Sequence, residues 1–315
     1  MTHKKKYTDF CKTEQNIPIF SKDWWLDSVC GKESWDVSLV ENEGKIIASL
    51  PYYTKQKMIF TIITMPQRTQ TMGPYIKYPH GQKYDRRLSF EKKIMTELIE
   101  QLPKVDMFIQ NFHYNIQNWL PFYWKGYKQS TNYTYVIEDL SNLTSVFKNF
   151  KSAKRGDIKK AEKNLEIKFD LSAEAFYTNH KMTVEKQNST IEYDFELFLR
   201  LYNSAYRNES GRTLYAVDKE NNIHTALFLI WDKNSAYSLL TSIDPDYRNS
   251  GSASFVIKEA IKLASTKTKR FDFEGSMMEN VEASYRAFGG VQKPYFNITK
   301  TNSKVLKILE CIKND

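Results

Sequence analysis

The sequence predicts an α/β protein made of two domains in tandem, and three observations carry that expectation. A hairpin-like segment occurs twice: Val40, Glu43, Ile46 and Leu50 return as Val217, Glu220, Ile223 and Leu227 at the same offsets, about half a chain apart. Apolar residues alternate between strand-like and helix-like spacing along both halves. Residues 236–264 read as a strand, a glycine turn and an amphipathic helix in succession. The boundary is expected near residue 140, dividing 1–139 from 140–315 with its C-terminal helix.

In the first domain, helices are expected at 21–30 and 90–101, the earlier one opening with Ser21 as cap before Asp23 and the Trp24/Trp25 pair. Strands are expected at 35–41, 45–53, 105–110 and 133–137, the first two joined through Glu43-Gly44, which suits a tight hairpin turn. Residues 63–75 read as a long polar loop with Pro66, Gly73 and Pro74, the kind of segment that carries binding groups. In the second domain, helices are expected at 142–150, 152–164, 173–186 and 194–208, and strands at 213–218, 223–231 and 236–243. A helix then carries Val256, Ile257, Ala260, Ile261 and Ala264 at helical spacing; a strand (270–273), a helix (280–288) and a strand (291–299) follow. The tail 303–313 gathers Val305, Leu306, Ile308, Leu309 and Ile312 on one side and reads as a docked helix rather than a membrane anchor.

The composition is that of a globular protein with a real core: 315 residues, 41% hydrophobic and 26% charged. No apolar run is long enough for a membrane-spanning helix, and no secretory signal follows the basic start. Three scattered cysteines, Cys11, Cys30 and Cys311, form neither a disulfide framework nor a zinc pattern, which suits a reducing cytoplasm. The five histidines form no metal-ligand cluster, and neither a hydrolase elbow nor a Walker loop occurs, so no metal site is expected. A net charge of +9 favours anionic partners: coenzyme phosphates, tRNA or a lipid headgroup surface.

The chemistry concentrates in the strand–turn–helix. Gly251 lets the backbone turn closely, so the N–H groups of Asn249, Ser250, Gly251, Ser252 and Ala253 converge beside the positive end of a helix. That is an anion site fit for a pyrophosphate, with Arg248 as a charged fork at its mouth. The run Ile243-Asp-Pro-Asp-Tyr-Arg-Asn-Ser-Gly-Ser-Ala253 resembles the coenzyme A loop of the GNAT acyltransferases, Arg/Gln-x-x-Gly-x-Gly/Ala. Phe271-Asp-Phe-Glu-Gly-Ser276 and Tyr285-Arg-Ala-Phe-Gly-Gly290 resemble the closing strand and helix of the Fem-type aminoacyltransferases and related BioF2-like domains. Arg155-Gly-Asp-Ile-Lys-Lys-Ala161 and the Gly-Pro of Thr71–Tyr75 are similar to further Fem elements.

The resemblance implies two GNAT-like domains, each a mixed, mostly antiparallel sheet flanked by helices. It implies acyl transfer from acyl-CoA, acetyl-CoA or an acyl carrier protein straight to an amine, with Ser242 and Ile243 aligning the thioester. The amine would be a small molecule, a peptide or a lipid precursor. Tyr285 is then the candidate acid for the leaving thiolate, or else a core tyrosine; Arg286 matches a basic residue of Fem proteins, or is a surface charge. The chemistry of amine acylation makes Glu274 the candidate base, with pairing to a surface lysine as its alternative. Arg68, Gln70 and Tyr75 would line the acceptor groove. The basic helix containing Arg155 is either a solvated face or a contact for tRNA or a membrane surface. Two other functions stay open: a Fem-type aminoacyltransferase using charged tRNA and a peptidoglycan precursor, and a non-catalytic CoA-binding module. The loop, which Fem aminoacyltransferases generally lack, favours the thioester.

Overall fold

A computed structural model describes residues 2–275 and 277–314, with side chains described as far as 309. The elements begin with α1 (His3–Thr13), α2 (Asp23–Cys30), β1 (Trp35–Asn42), β2 (Lys45–Lys57), β3 (Phe60–Thr64), β4 (Tyr75–Ile76), α3 (Tyr84–Glu100), β5 (Met107–Asn111) and α4 (Leu120–Trp124). They continue with β6 (Lys128–Ile137), α5 (Leu143–Lys148), α6 (Ser152–Asn164), β7 (Glu166–Phe169), α7 (Ala173–Glu185), α8 (Phe195–Arg207), β8 (Gly211–Val217), β9 (Ile223–Trp231) and β10 (Ser235–Ile243). A 3-10 turn (Pro245–Ser250), α9 (Ser252–Ser265), β11 (Arg270–Asp272), α10 (Glu279–Arg286), β12 (Val291–Thr301) and α11 (Lys304–Asn314) complete the order.

The chain forms two compact units, Met1–Asn132 with Pro294–Asp315, and Tyr133–Lys293. This differs from the expected division at 139/140. The C-terminal strand and helix return to the first unit, because β12 runs antiparallel to β5 from Asn297↔Asn111 to Thr301↔Met107. Each unit is α/β with a mixed, mostly antiparallel sheet flanked by helices, as expected.

In the first unit the strand order is β1-β2-β3-β5-β12, with β4 on β2. The β1–β2 turn has Glu43 at φ 50 and Gly44 at φ 75, so both central residues are left-handed, which matches the right-handed twist of a two-residue hairpin. Ile94, Met95, Leu98 and Ile99 of α3 bury against Leu50, Phe108 and Ile298. Tyr7 and Trp25, both fully buried, tie their polar ends to Ser21 O (2.7 Å) and Thr69 Oγ1 (2.9 Å). Ser21 therefore sits in a buried 3-10 turn, and the N-cap of α2 is Lys22 rather than Ser21. The expected loop at 63–75 gives up its first residues to β3 and its last to β4. Helices α1 and α4 and strand β7 were not expected; their polar or short sequences carry a weak periodic signal.

In the second unit the order is β6-β11-β10-β9-β8-β7. β9 is a near-continuous apolar run because both its faces are covered. Leu227 and Leu229 join the cluster that holds Val256, Ala260 and Ile261 of α9 and Ile158 of α6. Phe228 points the other way, against Phe176 of α7 (6.3 Å between ring centres) and Phe198 of α8 (5.9 Å). The two repeated segments are both antiparallel hairpins, β1–β2 and β8–β9, each with a register shift near its turn.

The C-terminal tail departs from the docked helix expected of it. Val305, Ile308 and Leu309 of α11 are 54%, 61% and 47% exposed. Ile312 of the expected stripe, Cys311 and Ser276 lie outside what the structure describes.

Candidate functional site

The second unit contains a place where neighbouring strands part. β10 and β11 run parallel, but their register holds only from Ser235↔Arg270 to Tyr237↔Asp272. β11 ends there, while β10 continues on β9 to Ile243↔Thr225. Beyond Tyr237 the other edge of β10 thus presents backbone N–H and C=O groups to whatever lies in the gap.

The chain leaves β11 sharply. Glu274 (φ 60) and Gly275 (φ 51) are both left-handed. A Cβ on Gly275 would lie 2.3 Å from Tyr133 O, so only glycine fits the turn. Asp272 is fully buried at the point of parting. Its Oδ1 accepts from Thr134 Oγ1 (2.5 Å) and from the Glu274 N–H (2.8 Å), which fixes the turn. Its Oδ2 is buried with no hydrogen-bond partner among the described residues. Burial pushes this carboxyl up to about 7, against the lowering by its two hydrogen bonds.

Tyr285 of α10 stacks on Phe273, 5.1 Å between ring centres. Burial first, then the charges of Glu274 and Asp272, pushes its hydroxyl up to about 12, so it stays protonated at neutral pH. Glu274 and Tyr285, both expected as site residues, thus come together. Asp272, which sequence reasoning quoted but gave no role, joins them. Lys154 of α6 also reaches this region, donating to Ser284 Oγ (3.1 Å) with its ammonium 4.8 Å over the Phe288 ring. Burial lowers the pKa of Lys154.

Arg286 is not brought to this group. It is exposed and paired with Glu282 of the same helix at 2.8 Å, and Glu282 also accepts from the Tyr135 hydroxyl (2.8 Å). Arg155 is likewise used locally: its guanidinium donates to Lys148 O (3.0 Å) and Phe150 O, tying α5 to α6. The match of Arg155 to a Fem element is therefore met by a structural role.

The glycine turn before α9 packs against α6. Gly251 is left-handed (φ 81), and a Cβ there would lie 2.2 Å from Asp157 O of α6. The left-handed backbone agrees with the close turn expected of Gly251, and the packing of α6 on the turn leaves no room for a Cβ. Ser254 donates to Asp157 Oδ2 (3.2 Å), which sets a carboxylate beside the first turn of α9. Ser252 is buried against Thr225 (2.8 Å), Ser250 Oγ accepts from the Ser252 N–H (3.3 Å), and Asn249 O accepts from Lys160 Nζ (2.6 Å). Ala253, the first-turn neighbour of Ser252, is half-buried.

Arg248 is exposed and lines an open cleft of about 410 Å³ with His180, Thr183, Gln187, Thr241 and Ile243. His180 Nδ1 is 2.7 Å from the Tyr193 hydroxyl. Ser242 turns its side chain into the protein, donating to Asn179 Oδ1 (2.7 Å), and Ile243 stands at the cleft mouth. His180 was missed because it sits on a helix far from any motif.

The three expected acceptor residues lie in the first unit. Arg68 occupies a left-handed turn position (φ 57). Gln70 offers its carbonyl to Asn111 Nδ2 (3.0 Å). Tyr75 faces Glu14; burial and then the Glu14 charge raise its hydroxyl pKa.

No family model matches the sequence, and no curated protein matches it. Solved structures do share the fold. A crystal structure of FemX superposes with a TM-score of 0.68 at 11% identity, covering 93% of this chain and 95% of that one. L-PGS from Bacillus licheniformis gives 0.58 at 10%, covering 98% and 96%. A conserved protein of unknown function from Bacteroides thetaiotaomicron gives 0.58 at 12%, covering 94% and 96%. At such identities the likeness is one of fold alone.

Proposed function

We propose that the chain is an acyltransferase that moves an acyl group directly onto an amine in the gap between β10 and β11. The observation that carries this reading is the parting of the two strands at Tyr237↔Asp272, with Asp272, Glu274 and Tyr285 gathered at the fork. The amine lone pair attacks the acyl carbon, forming the N–C bond. Glu274, directly or through a water, takes the proton released from the nitrogen. The C–S bond of a thioester breaks, and the Tyr285 hydroxyl supplies the proton for the leaving thiolate. Tyr285 is then reprotonated from Glu274, which restores both groups. The N–H groups on the β11 side of β10 beyond Tyr237 supply hydrogen bonds to the developing oxyanion. Asp272 acts by holding the Glu274 backbone.

The donor in this reading is an acyl-CoA, acetyl-CoA or an acyl carrier protein thioester, with Arg248 and Lys160 as the cations near the turn. The reading puts the reaction in a reducing cytoplasm, where the free thiols of Cys11 and Cys30 persist. A second reading, transfer of an aminoacyl group from charged tRNA to a peptidoglycan or lipid precursor, draws support from the turn itself. Asp157 and α6 crowd the Gly251 turn, and the fold is shared with FemX.

Titration calorimetry with CoA, acetyl-CoA and a long-chain acyl-CoA separates the two. Binding that is lost in Arg248→Glu supports the thioester. No heat with any CoA, together with salt-dependent tRNA binding, transfers the weight to the aminoacyl donor. If CoA binds but Glu274→Gln and Tyr285→Phe leave turnover unchanged, the chain is a binding module and the catalytic assignment fails.

A further inference from the structure

The first unit carries two apolar features that its own packing leaves uncovered. At the β2–β3 hairpin tip, Met58 and Ile59 are 89% and 84% exposed. On α11, Val305, Ile308 and Leu309 stand at i, i+3 and i+4 with their apolar side chains in solvent. Surface residues of this kind are unremarkable singly, but a grouped patch signals a partner.

The two features sit at one end of one sheet. Asp106, just before β5, joins them: its N–H donates to Thr61 O (2.8 Å) and its Oδ2 accepts from the Thr61 N–H (2.9 Å). Its carbonyl accepts from the N–H of Asn302 (2.8 Å) and of Ser303 (3.1 Å), the residues that launch α11. Thr61 is the second residue of β3 after the tip, so the tip and the root of α11 are fastened to a single residue.

Lysines predominate among the described charged residues at this end. Within 55–60 and 302–309 the charged residues are Lys55, Lys57, Lys304 and Lys307, all exposed, and Lys104 stands beside Asp106. The Asp106 carboxylate, which accepts from the Thr61 N–H, stands among these lysines. Lys55 and Lys57 also line a cleft of about 540 Å³ with Ile62, Met65, Gln67 and Met107, so a recess of mixed polarity lies under the same lysines. Apolar tips surrounded by lysines match the interface of an anionic bilayer, where side chains enter the headgroup region and ammonium groups meet lipid phosphates. A second copy of the chain would bring the same lysines face to face. Among the described residues no helix is long and apolar enough to cross a membrane, so contact would be at the surface.

We infer that this end of the first unit docks on an anionic lipid surface, with Met58, Ile59 and the apolar side of α11 entering the interface. The inference stands apart from the acyl-transfer reading, and its test reads binding rather than turnover. The full chain is sedimented with vesicles of phosphatidylglycerol and phosphatidylcholine, and with vesicles of phosphatidylcholine alone, at low and at physiological salt. Sedimentation with the anionic vesicles, weakened by salt and absent with the neutral ones, is expected. Met58→Asp with Ile59→Asp, and separately Ile308→Asp, lower the partition coefficient by about tenfold or more. These positions are exposed, and unchanged thermal melting confirms that the variants fold. Lys55→Gln with Lys57→Gln lowers binding and flattens the salt dependence, whereas Lys219→Gln in the second unit does neither. Failure of the wild type to sediment at low salt overturns the inference. So does binding indifferent to the tip and α11 variants, or equal loss with Lys219→Gln. A dimer in analytical ultracentrifugation that Ile308→Asp dissolves overturns it in favour of a second copy.

Discussion

Asp272 is a carboxyl fully withdrawn from water. Its carboxyl is raised to about 7 by burial, above its ordinary value near 3.8. The native state therefore keeps this proton through a pH range in which the unfolded chain has lost it. Stability from this group is fully present below about pH 4 and is lost as pH rises to about 7. Asp272→Asn keeps an oxygen for Thr134 and Glu274 and removes the titration. Melting temperatures measured from pH 4 to 8 should decline less steeply in the variant, with its advantage greatest above pH 7. Tyr285→Phe preserves the stacking on Phe273 and removes only the hydroxyl. The expected result is native-like melting with kcat lower by about 10²–10⁴ in an acyl-transfer assay. These two residues had different standing in the sequence. Tyr285 carried a motif, whereas Asp272 looked like any strand-end carboxylate until the backbone closed around it.

At the scale of elements, the turn before α9 shows how one pattern can serve two ends. Arg-x-x-Gly-x-Ala was read as a cradle for a pyrophosphate, and the same Gly251 also leaves the space in which the Asp157 carbonyl of α6 packs. Gly251→Ala should cost about 1–2 kcal/mol for the left-handed backbone alone. The collision with Asp157 O adds to that and lifts α6 from α9. A lowered urea midpoint, with faster amide exchange along Ser152–Asn164, would register both effects. The strand and helix spans of the second unit were largely legible, because the apolar spacing of α9 and the run of β9 are local signals. The packing of α6 on the turn was not, since a contact between Asp157 and Gly251 leaves no periodic trace in either segment.

The whole molecule is two units whose sequence boundaries interlock. Residues 294–301 belong to the first unit as the antiparallel neighbour of β5, with Ile298 fully buried there. A chain ended after Lys293 should lose amide protection across Met107–Asn111 while β8 and β9 keep theirs, as hydrogen exchange would show. In the second unit, Phe228→Ala removes a fully buried ring between α7 and α8 and should cost about 3–5 kcal/mol, read from denaturant unfolding. A division at residue 140 could not foresee the return of β12, because strand pairing at this distance is decided by register and neither partner announces it.

The sequence by itself determined the α/β class, the paired hairpins and most second-unit elements, since periodicity, turn residues and caps act over a few positions. It also singled out Glu274 and Tyr285 through their motifs. Only the tertiary structure decided that Asp272 lies buried at the fork and that Arg155 and Arg286 pair with neighbours in their own segments. It alone gathered the hairpin tip and α11 at Asp106. The physical reason is common to all of these: burial, desolvation and hydrogen-bond partners come from residues far away in the chain.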